Sequence, residues 1–225
     1  PMVGDFEMNA KLKPKRTRMR REERMQSILV AARKIFENKG YQFATVAEIA
    51  DQLGVTDANV YAFFPTKRDL LVTLVSQWYS SITINMIEGL VGISGFYNQL
   101  RYVVRRHLQT LNDEPEFCAV AIAESRHQDQ DVADILHECN RNYTRPLMDA
   151  LKQAIKNGEI SKDVSPPLVR NMVFGTLEHI LWDTISGHAW PNADQIADQL
   201  SESIYQSLCI SALDGGSVES KGLIP

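Results

Sequence analysis

Apolar side chains recur every three or four residues through most of the chain, which is the spacing of an amphipathic helix. No segment alternates apolar and polar residues between turn residues, as a strand would. The pattern predicts about nine helices, near residues 22–38, 46–53, 57–63, 67–89, 96–111, 115–126, 131–157, 166–186 and 193–213. We therefore expect an all-α protein.

Two short helices in the first third of the chain have clear start and stop signals. Thr45 and Glu48 have the spacing of a capping box, and Gly54 ends that helix after two turns. Thr56 is placed to cap the next helix with its side chain, and Pro65 stops it. A short capped helix, a glycine turn and a second short helix predict a helix-turn-helix.

The second helix of this pair has the composition of a recognition helix. Its N-terminal end is small or polar, while Val60 and Phe64 are placed to face inward. Asn59 suits adenine and Asp57 suits cytosine, and the other polar positions suit phosphates. The predicted DNA contacts are Thr45, Thr56, Asp57, Ala58, Asn59, Tyr61, Phe63 and Lys67. Thr45, Thr56 and Thr66 are also placed to cap helices, and helical hairpins occur in proteins that never bind DNA.

The charge of the chain is distributed unevenly. The net charge is −4, but the first 70 residues hold 13 Lys and Arg against 9 Asp and Glu, whereas the remaining residues hold 11 against 19. Much of the basic excess lies before residue 25, so we expect a flexible basic arm over residues 1–20 that suits phosphate. A solvated tail without a partner is the alternative.

Other classes of protein find little support. The chain has no glycine-rich phosphate loop, no nucleophile elbow and no zinc-protease motif, so we expect neither catalysis nor a cofactor. Three cysteines without a short repeated spacing, and His137 two residues from Cys139, predict neither disulfides nor a metal site. No secretory signal and no long uninterrupted apolar run is evident, so we expect a cytoplasmic protein without membrane contact.

The run from Ile28 to Leu71 resembles the N-terminal signature of the TetR family of bacterial transcription regulators. The matching positions are Ala31, Ala32, Phe36, Gly40, Tyr41, Thr45, Ile49, Ala50, Gly54, Val55, Thr56, Ala58, Tyr61, Phe64, Lys67 and Leu70. Ala62 and Phe63 depart from it, because the family often has His and Tyr there. The resemblance implies a homodimeric repressor that binds palindromic double-stranded operator DNA and is released by a small hydrophobic or acyl-CoA-type effector.

The resemblance also implies the organisation of the chain. The predicted parts are the arm, a three-helix DNA-binding domain over residues 21–68, a larger helical effector-binding and dimerisation domain over 69–213, and a disordered tail over 214–225. Dimerisation is expected through the helices at 166–186 and 193–213. The first helix has two neighbouring apolar stripes, and we expect one to meet the core of the chain and the other a partner. They are Leu168, Met172, Gly175, His179 and Trp182, and Val169, Val173, Leu177 and Ile180. The interface stripe of the second helix is Ile196, Leu200, Ile204 and Leu208.

Aromatic, methionine and polar residues of the central helices are the candidates for the effector pocket. The predicted set is Met86, Tyr102, Arg105, Phe117, Tyr143, Phe174, His179 and Trp182. The segment 168–183 is similar to the corresponding helix of family members that regulate fatty-acid or aromatic-acid metabolism and respond to acyl-CoA thioesters. A drug-sensing regulator of an efflux pump, and a helical adaptor that does not bind DNA, are the alternatives.

Overall fold

The computed structural model describes residues 15–126, 129–188 and 192–213, without the side chains of residues 15–19 and 210–213. Over these residues the regular structure is helical: α1 Lys15–Phe43, α2 Val46–Leu53, α3 Asp57–Tyr61, α4 Lys67–Leu90, α5 Phe96–Asp113, α6 Pro115–Glu124, α7 Gln130–Lys156, α8 Pro166–Ile185 and α9 Ala193–Leu213. The predicted all-α class is confirmed. The predicted tail and residues 1–14 of the predicted arm lie outside the described residues.

The chain divides into two compact units between Leu70 and Leu71. The first unit contains α1, α2, α3 and the first turn of α4, and the second contains the rest of α4 and the helices that follow. Helix α4 therefore begins in the first unit and continues into the second.

The first unit is built on a small apolar core. Ile28, Phe36, Ile49 and Val60 come from three different helices, and each is at most 1% exposed. The ring of Phe36 also meets the ring of Tyr41 edge to face, with the centroids 5.5 Å apart. Because α2 and α3 are only eight and five residues long, burial of these side chains, rather than helix length, stabilises them.

Helix α1 begins seven residues before the predicted start. The residues from Lys15 to Arg24 are almost all strong helix formers, and Pro14 directly precedes them. They lack the apolar periodicity that set the predicted boundary, so helix propensity extends the helix beyond its buried face. Gly40, the predicted stop, has a φ of 75° and interrupts the helix before Tyr41.

In the second unit, α5 packs against α6, α7, α8 and α9, with its most extensive contact to α9. This arrangement corrects one expectation for α9. Ile196, Ile204 and Leu208 are buried within the chain rather than exposed for a partner. An apolar stripe shows that a helix is buried on one face, but not which helix covers it.

Helix α4 is long and apolar enough, by length and composition alone, to cross a membrane, and no other helix of the described residues is. Its apolar residues are divided between two environments. Leu71, Val75 and Met86 are buried in the chain, whereas Ile84 and Ile87 are about half exposed. Burial of one face is typical of a core helix in a globular domain.

Candidate DNA-binding surface and ligand cavity

The N-terminal end of α3 and the residue before it form an exposed polar surface. Thr56, Asp57, Ala58 and Asn59 are all exposed, and Tyr61 is 45% exposed. Val60 between them is completely buried and fixes the helix to the core. The structure therefore brings these predicted DNA contacts together on one short helix that is anchored from beneath.

The Thr56 side chain does not cap the α3 backbone, which corrects the prediction. Instead, the side-chain amide of Asn59 donates a hydrogen bond of 2.7 Å to Thr56 Oγ1. This bond fixes the position of the Asn59 amide while leaving its carbonyl oxygen and one N–H for another partner. The two predicted contacts thus form a pair, which the sequence spacing of three residues permits.

Thr45 caps α2 as predicted. Its hydroxyl accepts a hydrogen bond from the Glu48 N–H at 3.3 Å, and the Glu48 carboxylate accepts one from the Thr45 N–H at 3.0 Å. Lys39 pairs with the same carboxylate, and these hydrogen bonds lower the pKa of Glu48. The turn that follows needs Gly54, whose φ of 64° closes α2 in the left-handed conformation.

Lys67, which was predicted to contact phosphate, makes contacts within the first unit. Its ammonium group donates hydrogen bonds of 2.8 Å to the Tyr41 carbonyl and 2.9 Å to the Ala44 carbonyl. It also lies 4.4 Å from the centroid of the Tyr41 ring. These contacts join the start of α4 to the end of α1, so Lys67 stabilises the first unit.

Phe63 is half-buried after the end of α3, which stops at Tyr61 rather than at residue 63 as predicted. The guanidinium carbon of Arg21 lies 5.8 Å from the centroid of its ring. Arg21 is exposed and belongs to the basic N-terminal part of α1. A phenylalanine that cannot donate a hydrogen bond is thus covered by a cation that can.

The second unit contains a partly open cavity of about 210 Å³. Its lining comes from α4, α5, α6, α7 and α8 and combines apolar and polar side chains. The lining residues are Trp78, Tyr79, Ile82, His107, Thr110, Leu111, Cys118, Ile122, Asn140, Tyr143, Arg170, Asn171, Phe174, Gly175 and Glu178.

His107 and Tyr143 form a hydrogen-bonded pair in the cavity wall, with 2.9 Å between His107 Nδ1 and the Tyr143 hydroxyl. Burial lowers the pKa of His107 to about 4, so the imidazole is neutral at neutral pH. Burial also raises the pKa of Tyr143, so its phenol stays protonated. Phe174 packs against both rings, at 5.6 Å from His107 and 6.2 Å from Tyr143.

Two further lining residues have unused hydrogen-bond donors. Trp78 Nε1 is buried and finds no acceptor among the described residues. Arg170 is half-buried, and its Nε donates to Thr144 Oγ1 at 3.2 Å. The nearby Glu178 carboxylate is paired with Arg126 at 2.6 Å. The cavity therefore offers donors on several sides.

The residues predicted to line the effector pocket are divided among four environments. Tyr143 and Phe174 line the cavity, whereas Met86 and Phe117 are almost completely buried and do not line it. Tyr102 and Arg105 line a neighbouring open groove between α4 and α5, where the Tyr102 hydroxyl approaches Gly89 so closely that a Cβ there would collide with it. His179 and Trp182 are exposed on α8.

Sequence reasoning missed His107, Trp78 and Arg170 as cavity residues. His107 follows Val103 and Val104 on the buried side of α5, and a polar residue on an apolar face is a signal that was available. Trp78 lies on the apolar stripe of α4, where it has the pattern of an ordinary core residue. Arg170 lies between buried and exposed positions of α8, and sequence offers no signal for it.

The two apolar stripes of α8 have different environments. Val169, Val173, Leu177 and Ile180 are buried in the chain. On the outward stripe, defined by Leu168, Met172, Gly175, His179 and Trp182, all but the half-buried Met172 are exposed. A single copy of the chain therefore leaves this outward stripe of α8 uncovered over the described residues.

A helix-turn-helix unit followed by a helical unit with an internal cavity defines the class of helix-turn-helix, ligand-responsive transcription regulators. Residues 28–74 match the family model for bacterial regulatory proteins of the tetR family, and residues 80–209 match the model for the C-terminal region of YsiA-like protein. The second match alone covers more than half of the chain. The chain belongs to the tetR family.

Known proteins similar to this chain include a fatty acid metabolism regulator protein of Bacillus subtilis, which is 28% identical over 193 residues, covering 85% of this chain and 96% of that protein. The crystal structure of FadR from Bacillus subtilis in complex with stearoyl-CoA has a TM-score of 0.73 at 23% identity, over 80% of this chain and 97% of that one. A transcriptional regulator from Saccharomonospora viridis in complex with choline has a TM-score of 0.68 at 19% identity, over 81% and 96%.

Proposed function

We propose that this chain is a homodimeric repressor that binds palindromic operator DNA and is released when an effector of the acyl-CoA type occupies the cavity. The observation that carries the proposal is the path of α4. This one helix starts in the first unit at Lys67 and contributes Trp78, Tyr79 and Ile82 to the cavity wall. A ligand that shifts α4 therefore acts on the helix that leads directly from α3.

DNA binding rests on the exposed end of α3. Asn59 and Asp57 have side chains that suit base edges, and neither is needed to hold the helix in place, because Val60 does so. Thr45, Thr56 and Tyr61 are exposed at the rim of the same surface, where they suit phosphate oxygens. Apolar positions fix the helix, while polar positions are available to DNA.

Dimerisation rests on the outward stripe of α8. Leu168 is 58% exposed, Trp182 is 37% exposed, and Gly175 has open space where a side chain would project. An isologous two-fold contact between two copies of α8 buries these side chains and brings two recognition helices into one dimer. Operator half-sites about 34–36 Å apart are then expected.

The effector class is supported by the relatives. A fatty acid metabolism regulator is similar to this chain over almost its full length, and the similar FadR structure contains stearoyl-CoA. The cavity of this chain has an apolar part, with Ile82, Leu111 and Ile122, that suits an acyl group. Release follows by population shift, in which the effector binds the DNA-incompetent arrangement more tightly.

A drug-sensing regulator remains the rival effector assignment, and a helical adaptor remains the rival class. The first experiment is DNA binding by the purified full chain, at fixed salt, to its own upstream region, with and without acyl-CoA thioesters of varied length. We expect tight, palindrome-specific binding that one thioester reverses. Asn59→Ala should weaken the specific complex, with Asn98→Ala, an exposed asparagine on α5, as the matched control.

Tight binding that no thioester reverses would contradict the effector class and favour a drug-type ligand. A thioester that strengthens binding would contradict repression by release. Failure to select any DNA from a random library would contradict the DNA-binding function and favour the adaptor.

A further inference from the structure

We infer that the cavity is a site for a short organic anion whose carboxylate is held by Arg170. The inference rests on the proposed function only in taking this cavity as the effector site, and it names the chemistry of the part of the effector that enters it. Three independent features support it: the volume of the cavity, the charge of its wall and the excess of hydrogen-bond donors.

The volume limits the ligand to a small group. An apolar cavity of about 150 Å³ binds benzene, and by that comparison 210 Å³ holds roughly eight heavy atoms of a ligand. A stearoyl chain has more than twice as many. The cavity therefore matches a chain of about six carbons or one aromatic ring, with a polar end.

Arg170 places a positive charge in the wall without a negative partner. Its one hydrogen bond is to the neutral hydroxyl of Thr144, and no carboxylate of the described residues forms an ion pair with it. Glu178, the carboxylate in the same wall, is paired with Arg126. A guanidinium stays charged at any physiological pH, and a half-buried charge is stabilised by a bidentate anion.

Other groups in the wall add donors rather than acceptors. Trp78 Nε1–H is buried without an acceptor. The neutral His107 and the protonated Tyr143 have two protons between them, and their mutual hydrogen bond uses one. Whichever ring donates, the other proton is left for a ligand oxygen. The Asn171 amide adds a further donor, so the wall suits an oxygen-rich group better than a plain alkyl chain.

A short carboxylate can reach the cavity from two sources. It can be a free carboxylic acid, or the distal carboxylate of a dicarboxylic acyl group attached to coenzyme A. Both present the same chemistry to Arg170, and they differ in what remains outside the cavity.

The test uses isothermal titration calorimetry on the full chain with two pairs of probes. Hexanoate is compared with the neutral hexanamide, and glutaryl-CoA with pentanoyl-CoA, which lacks the distal carboxylate. We expect the charged member of at least one pair to bind about tenfold tighter or more, as for a hydrogen bond to a charged group. A preference within the hexanoate pair identifies a free carboxylic acid as the source, and a preference within the thioester pair identifies a dicarboxylic acyl group on coenzyme A.

Arg170→Gln keeps hydrogen-bonding capacity but removes the charge, so the preference for the charged probe should disappear. Arg145→Gln, at an exposed arginine of α7 outside the cavity wall, is the matched control and should retain the preference. Trp78→Phe keeps an aromatic ring and removes one donor, and should weaken the charged probe about three- to tenfold. This variant, and the probe pairs on the unaltered chain, test the inference even if Arg170→Gln does not fold.

Equal affinity for the charged and neutral members of both pairs would overturn the inference. Binding of stearoyl-CoA with release of DNA, but no binding of the short charged probes, would also overturn it while leaving the proposed function intact. If neither the short probes nor stearoyl-CoA binds, both the anion site and the acyl-CoA effector class fail.

Discussion

The ammonium group of Lys67 binds Tyr41 twice, through a 2.8 Å hydrogen bond to its carbonyl oxygen and through a position 4.4 Å from the centroid of its ring. The same group also donates to the Ala44 carbonyl at 2.9 Å. Lys67 thereby donates hydrogen bonds to carbonyl groups that the end of α1 leaves without helical partners. Its charge is engaged within the first unit.

Lys67→Met should therefore destabilise the first unit rather than remove a phosphate contact. The methionine keeps an apolar stem but makes neither hydrogen bond, so we expect the free energy of unfolding to fall by about 1–3 kcal/mol. Urea denaturation of the full chain measures this change. Lys34→Met, at an exposed lysine of α1, is the control for the loss of a lysine in the same unit.

The salt dependence of operator binding separates the two roles of Lys67. A lysine that contacts phosphate contributes about one unit to the slope of log affinity against log salt concentration. If Lys67→Met lowers that slope by about one and leaves unfolding unchanged, the structural role is wrong and the original sequence prediction is right.

Arg21, which lies over Phe63, should contact a phosphate in the operator complex. The family often has a hydrogen-bond donor at position 63, and here the exposed guanidinium of Arg21 is held 5.8 Å from the ring at that position. We expect Arg21→Gln to weaken operator binding and to reduce the salt slope by about one. Binding titrations at several salt concentrations measure both.

Phe63→Leu removes the ring that positions the Arg21 guanidinium but leaves the charge unchanged. This variant should lose part of the operator affinity that Arg21→Gln loses. Lys162→Gln, at an exposed lysine of the second unit, controls for net charge alone. If Arg21→Gln and Lys162→Gln have the same small effect, only long-range electrostatics is involved and the contact is absent.

The first unit was predictable because its signals are local. The capping box of Thr45 and Glu48 and the turn at Gly54 set the bounds of α2 through the backbone within a few residues. Helix α4 starts in the same local way, because the Thr66 N–H donates to the Asp69 carboxylate at 3.0 Å. The Thr56 cap was wrong for an equally local reason. Asn59, three residues later, offers the Thr56 hydroxyl a side-chain donor at 2.7 Å in place of the backbone.

The cavity was only partly predictable because sequence periodicity shows which face of a helix is buried, but not whether that face meets side chains or a void. Tyr143 and Phe117 have the same inward pattern, yet Tyr143 lines the cavity and Phe117 packs against Trp78 with the ring centroids 5.4 Å apart. The same limit explains the α9 stripe, which is covered by the chain itself.

The buried His107 should make the stability of the protein depend on pH in a defined window. Its pKa is about 4 in the folded chain against an ordinary value of 6.5, so between these values the unfolded chain takes up a proton that the folded chain does not. The free energy of unfolding is therefore unaffected by this group above about pH 6.5 and decreases as the pH falls towards 4. The loss is at most about 1.4 kcal/mol per pH unit.

His107→Gln should flatten this dependence, because glutamine remains neutral and can still hydrogen-bond to Tyr143. Thermal unfolding at pH values from 4 to 7 measures the difference between the variant and the unaltered chain. His137→Gln, at an exposed histidine of α7, should not flatten it. Identical pH profiles for His107→Gln and the unaltered chain would show that the imidazole is not desolvated as described.

The outward stripe of α8 should be the dimer interface. Leu168 begins this stripe and is 58% exposed in a single copy, and Ile185, which lies about one helical turn after Trp182 and extends the stripe, is 44% exposed. A glutamate at either position would place a charge opposite an apolar surface in a two-fold contact, and would be desolvated without a partner. We expect Leu168→Glu and Ile185→Glu to give monomers in sedimentation velocity and to lose cooperative operator binding.

Ile87→Glu, at a 51% exposed position on α4, supplies the same change of charge outside the stripe and should leave the dimer intact. An unpaired charge is costly where a partner buries it and harmless where it stays in water. If the α8 variants remain dimeric, or if only Ile87→Glu dissociates the protein, the interface therefore lies on another face.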